Sequence, residues 1–205
     1  MIKAYIVDVD GTLYSQKKLR TKMAVSFLQH AVRHPSQIKS IIAVLLYRKE
    51  REKSRCDGRD SASICEKVGG ELGISLETVR EAVHYWIHQY TIKFLPSYSY
   101  KDFIGWINRK RADGVKIYIY SDYPAIEKCR VLGIDYDAVI ISDEIGYLKP
   151  DKRAMEYVIR HISSDKDGIA YIRDRDEIDG LAAESVEIRY YNMRSIRNRG
   201  RIKEV

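Results

Sequence analysis

Short apolar segments alternate with helix-like segments over most of the chain after residue 96. The short runs are rich in β-branched and aromatic residues and are bounded by Gly, Ser or Asp, a pattern typical of buried strands. Between them apolar residues recur at helical spacing, and glycines stand where helices usually stop. The pattern predicts strands at 3–8, 115–120, 138–141, 168–172 and 186–190, and helices at about 100–112, 124–132, 151–162 and 177–184.

Strands that alternate with helices of this length predict a parallel sheet, because each pair of neighbouring parallel strands needs a crossover connection. The strand at 3–8 belongs to the same sheet, although a long helical region separates it from the others. We therefore predict an α/β protein: a Rossmann-like, three-layer core around a parallel sheet, with an inserted all-helical unit.

The inserted region, residues 15–95, carries helical periodicity throughout. Pro35 disfavours helix at His34, so a break is expected there, and Ser36 is a candidate cap for the next helix. Asp60 or Ser61 is expected to start a third helix, which ends near Gly69 and Gly70, and Ser75 is expected to open a fourth. The predicted division is a core of 1–14 and 96–193, a helical unit of 15–95 with a linker near 95–98, and a basic tail of 194–205.

Charge is unevenly distributed along the 205 residues. The formal net charge is +7, and residues 14–60 contain twelve bases against four acids, which accounts for the whole excess. A field of this sign attracts an anionic substrate or a polyanion, although a solvated helix face has the same appearance. The longest apolar run, residues 41–47, is too short to span a bilayer and is expected to be the buried face of a helix.

The cysteines favour a reducing, cytoplasmic setting. Three cysteines (Cys56, Cys65 and Cys129) cannot all pair, and none lies in a CxxC motif. Cys56 and Cys65 with His84 or His88 match no common zinc-ligand spacing, so a zinc site is not expected.

Polar side chains with catalytic potential follow each of the first four predicted strands. In open α/β sheets, ligands bind outside the carboxyl ends of the strands, so residues that follow different strands are expected to meet at one edge. Two acids one residue apart end the first strand, which is unfavourable in a core without partners. The residues concerned are Asp8, Asp10, Gly11 and Thr12 after the first strand, Ser121 and Asp122 after the second, Lys149 beyond the third, and Arg173, Asp174 and Asp179 after the fourth.

This arrangement resembles the haloacid dehalogenase-like (HAD) hydrolase superfamily, whose four motifs occur here in order and in strand context. Asp8-x-Asp10-Gly11-Thr12 is the specific motif, and Ser121, Lys149-Pro150 and Asp174-x4-Asp179 are weaker individually. The resemblance covers residues 1–14 and about 96–191. Residues 15–95 resemble the inserted helical cap of the family in position and helical character only.

The resemblance implies phosphoryl chemistry and a role for each residue. Asp8 would be the nucleophile that forms an aspartyl-phosphate, and Asp10 the general acid and base. Lys149 would neutralise charge on Asp8 and on the transferring group. Mg²⁺ would be the cofactor, held by Asp8, the Asp10 backbone carbonyl, Asp174 and Asp179. Ser121, Asp122, Thr12, Gly11 and Arg173 would contact the substrate.

The second acid of the first motif argues for phosphoryl transfer, since the dehalogenases of the superfamily lack it and need no metal.

Two positions depart from the family pattern. Arg173 stands where Gly is usual, so either the substrate carries extra negative charge or the metal site is altered, and Asp122 stands where a neutral residue is more usual. Plainer interpretations are that Ser121 caps a helix, and that Asp143 and Asp151 are caps and not catalysts.

The sequence thus predicts a Mg²⁺-dependent phosphatase acting on a small phosphorylated metabolite, with the helical unit closing over the site. One alternative is a phosphomutase of the same superfamily. Another is a nucleic-acid-binding protein with a degenerate hydrolase core, in which basic residues combine with aromatic ones. No membrane partner is expected. The aromatic residues considered for the nucleic-acid alternative are Tyr47, Tyr85, Trp86 and Tyr90, although their helical spacing also suits a core.

Overall fold

The computed structural model describes residues 1–57, 60–147, 149, 151–162, 164–174 and 186–193. The chain divides into two compact units: Met1–Gln16 with Pro96–Val205, and Lys17–Leu95. The first border lies two residues after the predicted one at 14/15, and the second coincides with the predicted border at 95/96. The first unit is therefore built from two separate stretches of sequence, and the second interrupts it.

Parallel strands form the centre of the first unit, as predicted. The described strands make one five-stranded sheet in the order β3-β2-β1-β4-β5, and every neighbouring pair is parallel. The N-terminal strand is central, so its four residues are covered by neighbours on both sides and are all buried. The strands are Ala4–Val7 (β1), Lys116–Ser121 (β2), Ala138–Ile141 (β3), Ile169–Arg173 (β4) and Arg189–Asn192 (β5).

Helices cover both faces of this sheet. The helix Lys152–Arg160 packs its buried residues, Met155 among them, in one cluster with Ala4 and Ile6 of β1. The alternate residue Tyr5 points to the opposite face, where its ring lies 5.1 Å from that of Trp106. The predicted three-layer α/β fold is confirmed. The helices of this unit are Leu95–Tyr98 (α5), Lys101–Ala112 (α6), Ile126–Leu132 (α7), Ser142–Ile145 (α8) and Lys152–Arg160 (α9).

Three predictions in this unit need correction. The fifth strand begins at Arg189 and not at Val186, because Glu187 has a φ of 60°, which is incompatible with an extended strand. The one-turn helix α8 was not predicted, and α5 stands where a linker was expected. The predicted helix at 177–184 lies outside the described residues.

The second unit is helical, as its periodicity indicates. Its helices are Gln16–Arg33 (α1, whose first residue belongs to the first unit), Ile38–Asp57 (α2), Ser61–Leu72 (α3) and Leu76–Val83 (α4), followed by a π-helical turn at His84–Gln89. Two caps are those expected from sequence. Asp60 accepts a hydrogen bond from the backbone N–H of Ser63 at 2.7 Å, and Ser75 accepts one from that of Thr78 at 3.1 Å.

Two details of this unit differ from prediction. Ser36 does not cap α2: it lies inside a 3₁₀ turn at Pro35–Gln37 that leads directly into the helix. Helix α3 runs through Gly69 and ends at Leu72, where Gly73 supplies the left-handed cap. Gly69 has a packing role instead, because a Cβ there would lie 2.9 Å from the backbone oxygen of Ile74.

The long apolar run of α2 is only partly buried. Val44 and Tyr47 belong to the core, while Ile42 and Leu45 are exposed. The prediction that the run is the buried face of a helix is therefore only partly right, because seven consecutive residues cover almost two helical turns and some of them reach the exposed side. Across the described ranges, no helix has the length and apolar character needed to cross a membrane.

Candidate active site

The register of the sheet brings the predicted site residues to one edge. Val7 of β1 pairs with Ile119 of β2 on one side and with Ile172 of β4 on the other. Asp8 therefore follows β1 at the level where β2 and β4 approach their carboxyl ends. Its backbone N–H donates to the carbonyl of Ile172 at 3.1 Å, so the main chain that carries the carboxylate is fixed to the neighbouring strand.

Asp8 is the centre of a buried ionic cluster. Its side chain is 5% exposed. Oδ1 accepts a hydrogen bond from Lys149 Nζ at 2.7 Å, and Oδ2 accepts one from the Thr12 hydroxyl at 3.3 Å. The Arg173 Nε lies 3.7 Å from Oδ2. A carboxylate this deeply buried is tolerable because cations compensate its charge on both oxygens.

The Lys149 side chain is shielded from water, because only 3% of it is exposed. Besides Asp8, its ammonium donates to the backbone carbonyl of Tyr120 at 2.8 Å and lies 4.0 Å from the centre of the Tyr120 ring. Burial raises the pKa of the Tyr120 hydroxyl, so that ring stays neutral and its face can attract the cation. Carboxylate, carbonyl and ring face together hold the lysine at the point where charge on Asp8 must be balanced.

Asp10 has partners of its own. Its Oδ1 accepts hydrogen bonds from Lys128 Nζ at 2.7 Å and from the Tyr14 hydroxyl. Burial alone would raise the pKa of the Asp10 carboxyl, but the ion pair with Lys128 and these two hydrogen bonds outweigh burial and hold the pKa below its ordinary value. The resting Asp10 is therefore an ionised carboxylate at neutral pH.

Asp174 packs directly against the backbone at Gly11. A Cβ added to Gly11 would lie 2.4 Å from Asp174 Oδ2 and 2.8 Å from Oδ1, and Gly11 has a φ of +97°. Both the close approach and the positive φ require glycine at this position. The turn after Asp10 thus brings the carboxylate of the fourth motif against the first motif.

Replacement of Gly11 by alanine is therefore expected to cost about 1–3 kcal/mol of folding free energy and to displace the Asp174 carboxylate. Urea unfolding measures the loss of stability, and a crystal structure of the variant locates the Asp174 carboxylate. The matched control is Gly133→Ala, which has a φ of +68° but nothing within 4 Å of the added Cβ. The control isolates the backbone penalty of about 1–2 kcal/mol. Equal losses in both variants, with Asp174 in its original position in Gly11→Ala, would show that the contact with Asp174 is dispensable.

The second strand contributes two further predicted residues. Ser121 is buried at the end of β2, and its hydroxyl accepts from the backbone N–H of Tyr123 at 3.2 Å. The alternative that Ser121 caps the next helix is wrong, because α7 begins at Ile126. Asp122, the neighbour of Ser121, is also buried.

Of the two acids predicted to be caps, one has that role. Asp151 caps α9, where it accepts from the backbone N–H of Arg153 at 2.9 Å. The prediction for Asp143 is wrong, because Asp143 lies inside the first turn of α8, where it is exposed, and Ile141 stands at the N-cap. Asp179, the remaining predicted ligand, is outside the described residues.

Lys128 and Tyr14 contact Asp10 and were not predicted from the sequence. Lys128 had a detectable signal: it lies three residues after the buried Ala125 and four before the buried Leu132, which places it on the covered face of α7. A lysine on such a face needs a carboxylate partner. Tyr14 follows the first motif in an irregular segment, where no periodicity indicates the direction of its side chain.

Comparison with known proteins agrees with the motif analysis. The family model for haloacid dehalogenase-like hydrolases matches residues 2–186. No curated protein matches the sequence. Several solved structures resemble the fold at sequence identities of 12–18%, which indicate the fold alone.

Three of these structures illustrate the likeness. A 2-haloacid dehalogenase from Pseudomonas syringae has a TM-score of 0.67 at 12% identity, covering 93% of this chain and 85% of its own. An L-2-haloacid dehalogenase from Xanthobacter autotrophicus has a TM-score of 0.63 at 16% identity, covering 94% and 77%. The Bacillus subtilis protein YfnB, assigned to the HAD hydrolases, has a TM-score of 0.59 at 14% identity, covering 92% and 85%.

The family model thus spans strands β1 to β4, the inserted helices and all four motifs. The resemblance found in the motifs is confirmed: this chain belongs to the haloacid dehalogenase-like hydrolases.

Proposed function

We propose that this hydrolase is a Mg²⁺-dependent phosphatase of small phosphorylated metabolites, with Asp8 as its nucleophile. The observation that carries the proposal is the pair of carboxylates at the end of β1. Asp8 is held by Lys149, and Asp10 is held separately by Lys128 and Tyr14. Two carboxylates with separate partners can perform two different tasks.

The donor set suits magnesium. Asp8 and Asp174 are buried carboxylates, and the Asp10 carbonyl adjoins the Gly11 backbone on which Asp174 packs, so the candidate ligands are all oxygen atoms.

Over the described ranges, no three His, Cys, Asp or Glu side chains group closely enough to hold a metal. Magnesium does not require such a group, because it commonly binds one or two carboxylates and completes its shell with water and substrate phosphate. When bound, it would supply charge neutralisation at the phosphoryl oxygens. The Bacillus subtilis relative is described as bound to magnesium.

The side chains can carry out hydrolysis in two steps. In the first, an Asp8 oxygen attacks phosphorus, the ester P–O bond breaks, and the leaving oxygen takes a proton from Asp10. In the second, Asp10 removes a proton from water, the water oxygen attacks phosphorus, and the bond to Asp8 breaks, which releases inorganic phosphate. Lys149 offsets the negative charge on Asp8 as the anionic group approaches, and the Ser121 hydroxyl is available to a phosphoryl oxygen.

Asp10 must gain a proton before it can act as an acid, because it is ionised at rest. A bound phosphate ester would favour protonation of Asp10. Its negative charge beside Asp10 opposes the ionised form and raises the pKa of the carboxyl from the low value set by Lys128. Substrate binding would thereby increase the fraction of Asp10 that carries the proton needed by the leaving oxygen.

Dehalogenation is the second candidate, because the similar structures include 2-haloacid dehalogenases. The site favours it less. A halide leaves as a stable anion and needs no proton, whereas an ester oxygen does, so a proton donor such as Asp10 assists departure of an ester oxygen and not departure of a halide. Nucleic-acid binding through stacked bases is also disfavoured, since Tyr47 and Trp86 are buried and Tyr90 is half-buried, so that of these four rings Tyr85 alone is exposed.

One assay compares these functions directly. We expect the purified protein to release phosphate from p-nitrophenyl phosphate with Mg²⁺ and to lose this activity in EDTA. A panel of phosphorylated metabolites would then identify the substrate class, and 2-chloropropionate tests dehalogenation through halide release. Halide release that persists in EDTA would replace the proposal with dehalogenation. Transfer to a second sugar hydroxyl, with little free phosphate, would indicate the mutase.

A further inference from the structure

Arg173 is a charged side chain beside Asp8 that stands where the family pattern has glycine. It is the last residue of β4, adjacent to β1 in the sheet, and it is 4% exposed. Its Nε lies 3.7 Å from Asp8 Oδ2, and its Nη1 donates to the Tyr171 hydroxyl at 3.4 Å. An arginine keeps its charge in any protein environment, so a permanent cation stands beside the nucleophile.

The two oxygens of Asp8 have different cationic neighbours. Lys149 bonds to Oδ1 at 2.7 Å, whereas Oδ2 faces Arg173 and accepts the Thr12 hydroxyl. Since Lys149 is fixed on Oδ1 by two further contacts, Oδ2 is the oxygen on which a divalent ion can bind. A metal on Oδ2 and the guanidinium would then be neighbours in a region shielded from water, where like charges repel strongly.

Charge balance leads to the same conclusion. The described part of the site contains four carboxylates (Asp8, Asp10, Asp122 and Asp174) and three cations (Lys128, Lys149 and Arg173). The net charge of these described residues is −1, whereas without the guanidinium it would be −2. Arg173 therefore lowers the negative charge that they offer to a divalent ion.

We propose that Arg173 competes with Mg²⁺ for Oδ2 of Asp8, so that this chain binds magnesium more weakly than the same site without an arginine would. The inference rests on the proposed metal-dependent function. Arg173 acts here as a positioning residue: it compensates Asp8 while the metal is absent and must move aside when the metal binds. The availability of magnesium would then control how much of the protein is active.

The test is a Mg²⁺ titration of the full chain by isothermal titration calorimetry, without substrate. Arg173→Met, which keeps length and removes charge, is expected to lower the Kd by at least about ten-fold. Arg173→Lys, which keeps the charge, is expected to stay within about three-fold of wild type. Arg130→Met is the matched control, since the Arg130 side chain is 70% exposed, and its Kd should equal that of wild type. Arg173→Gly, the residue usual in the family, serves if the Met variant does not fold.

The outcomes separate this inference from the proposed function. An unchanged Kd in Arg173→Met, or equal tightening in Arg173→Lys, overturns the competition even if wild type hydrolyses phosphate esters. Tighter binding only in the uncharged variants supports the competition, even if no phosphate is released and the proposed reaction fails. Absence of measurable Mg²⁺ binding in Arg173→Met overturns it as well.

Discussion

Replacement of Asp8 by asparagine is expected to reduce phosphate release by at least about a thousandfold, because the amide cannot attack phosphorus. Asparagine has nearly the shape of aspartate, and Lys149 keeps its bond to the Tyr120 carbonyl and its place over the Tyr120 ring. The variant is therefore expected to fold. Phosphate release under saturating Mg²⁺, together with circular dichroism, measures both properties.

The matched control for this substitution is Asp135→Asn. Asp135 is an exposed carboxylate in the same unit, so its conversion to an amide should leave turnover unchanged. Retention of more than a few per cent of wild-type turnover in a purified Asp8→Asn protein would rule out Asp8 as the nucleophile. In that case the buried ionic cluster would have a structural role.

Lys149→Met is expected to have the largest effect on stability, about 3–5 kcal/mol, because it leaves a buried carboxylate without its direct cationic partner. Arg173 lies farther from Asp8, at 3.7 Å against 2.7 Å for Lys149, and compensates only in part. For a protein of this size, such a loss corresponds to a fall in Tm of roughly 10 °C. Turnover should fall too, since the lysine offsets charge during phosphoryl transfer.

Thermal unfolding of Lys149→Met, Asp8→Asn and the double variant forms a cycle that isolates the interaction of the pair. The double variant should be more stable than the sum of the single losses predicts, because it leaves neither charge of the pair without the other. Lys116→Met provides the control: its side chain is 60% exposed and pairs with Asp137, and such pairs contribute about 1 kcal/mol or less. Additive losses in the cycle would show that Lys149 and Asp8 do not stabilise one another.

The parallel sheet was predictable because its signals are local. β1 and β3 are continuous apolar runs, and their buried positions follow from hydrophobicity alone. The start of β5 was predicted too early, because the apolar pattern at 186–188 looks the same as that of a strand. The positive φ of Glu187, which is incompatible with a strand, has no signal in the sequence. Ser36 failed as a cap because the 3₁₀ turn at Pro35–Gln37 begins the helix before it.

The part of the candidate site that lies at the ends of the strands was predictable from the sequence. Asp8, Ser121 and Arg173 follow or end strands, so the sheet itself brings them together. The contacts of Asp10 could not be derived in the same way, because Lys128 comes from a helix whose rotation depends on packing. The competition at Asp8 Oδ2 likewise depends on the direction of the Arg173 side chain, which the strand alone does not determine.

The central place of β1 has a consequence for biosynthesis. β1 leaves the ribosome before its partner strands at Lys116–Ser121 and Ile169–Arg173, which are made only after the whole helical unit. The helical unit can fold early because its contacts are local, while β1 must wait with its apolar side chains exposed. The entropic penalty of the intervening chain is modest, since each doubling of loop length adds only about 0.6 kcal/mol. The insertion therefore prolongs the exposure of the apolar side chains of β1 during translation, whereas it has a small effect on the folding free energy of the finished protein.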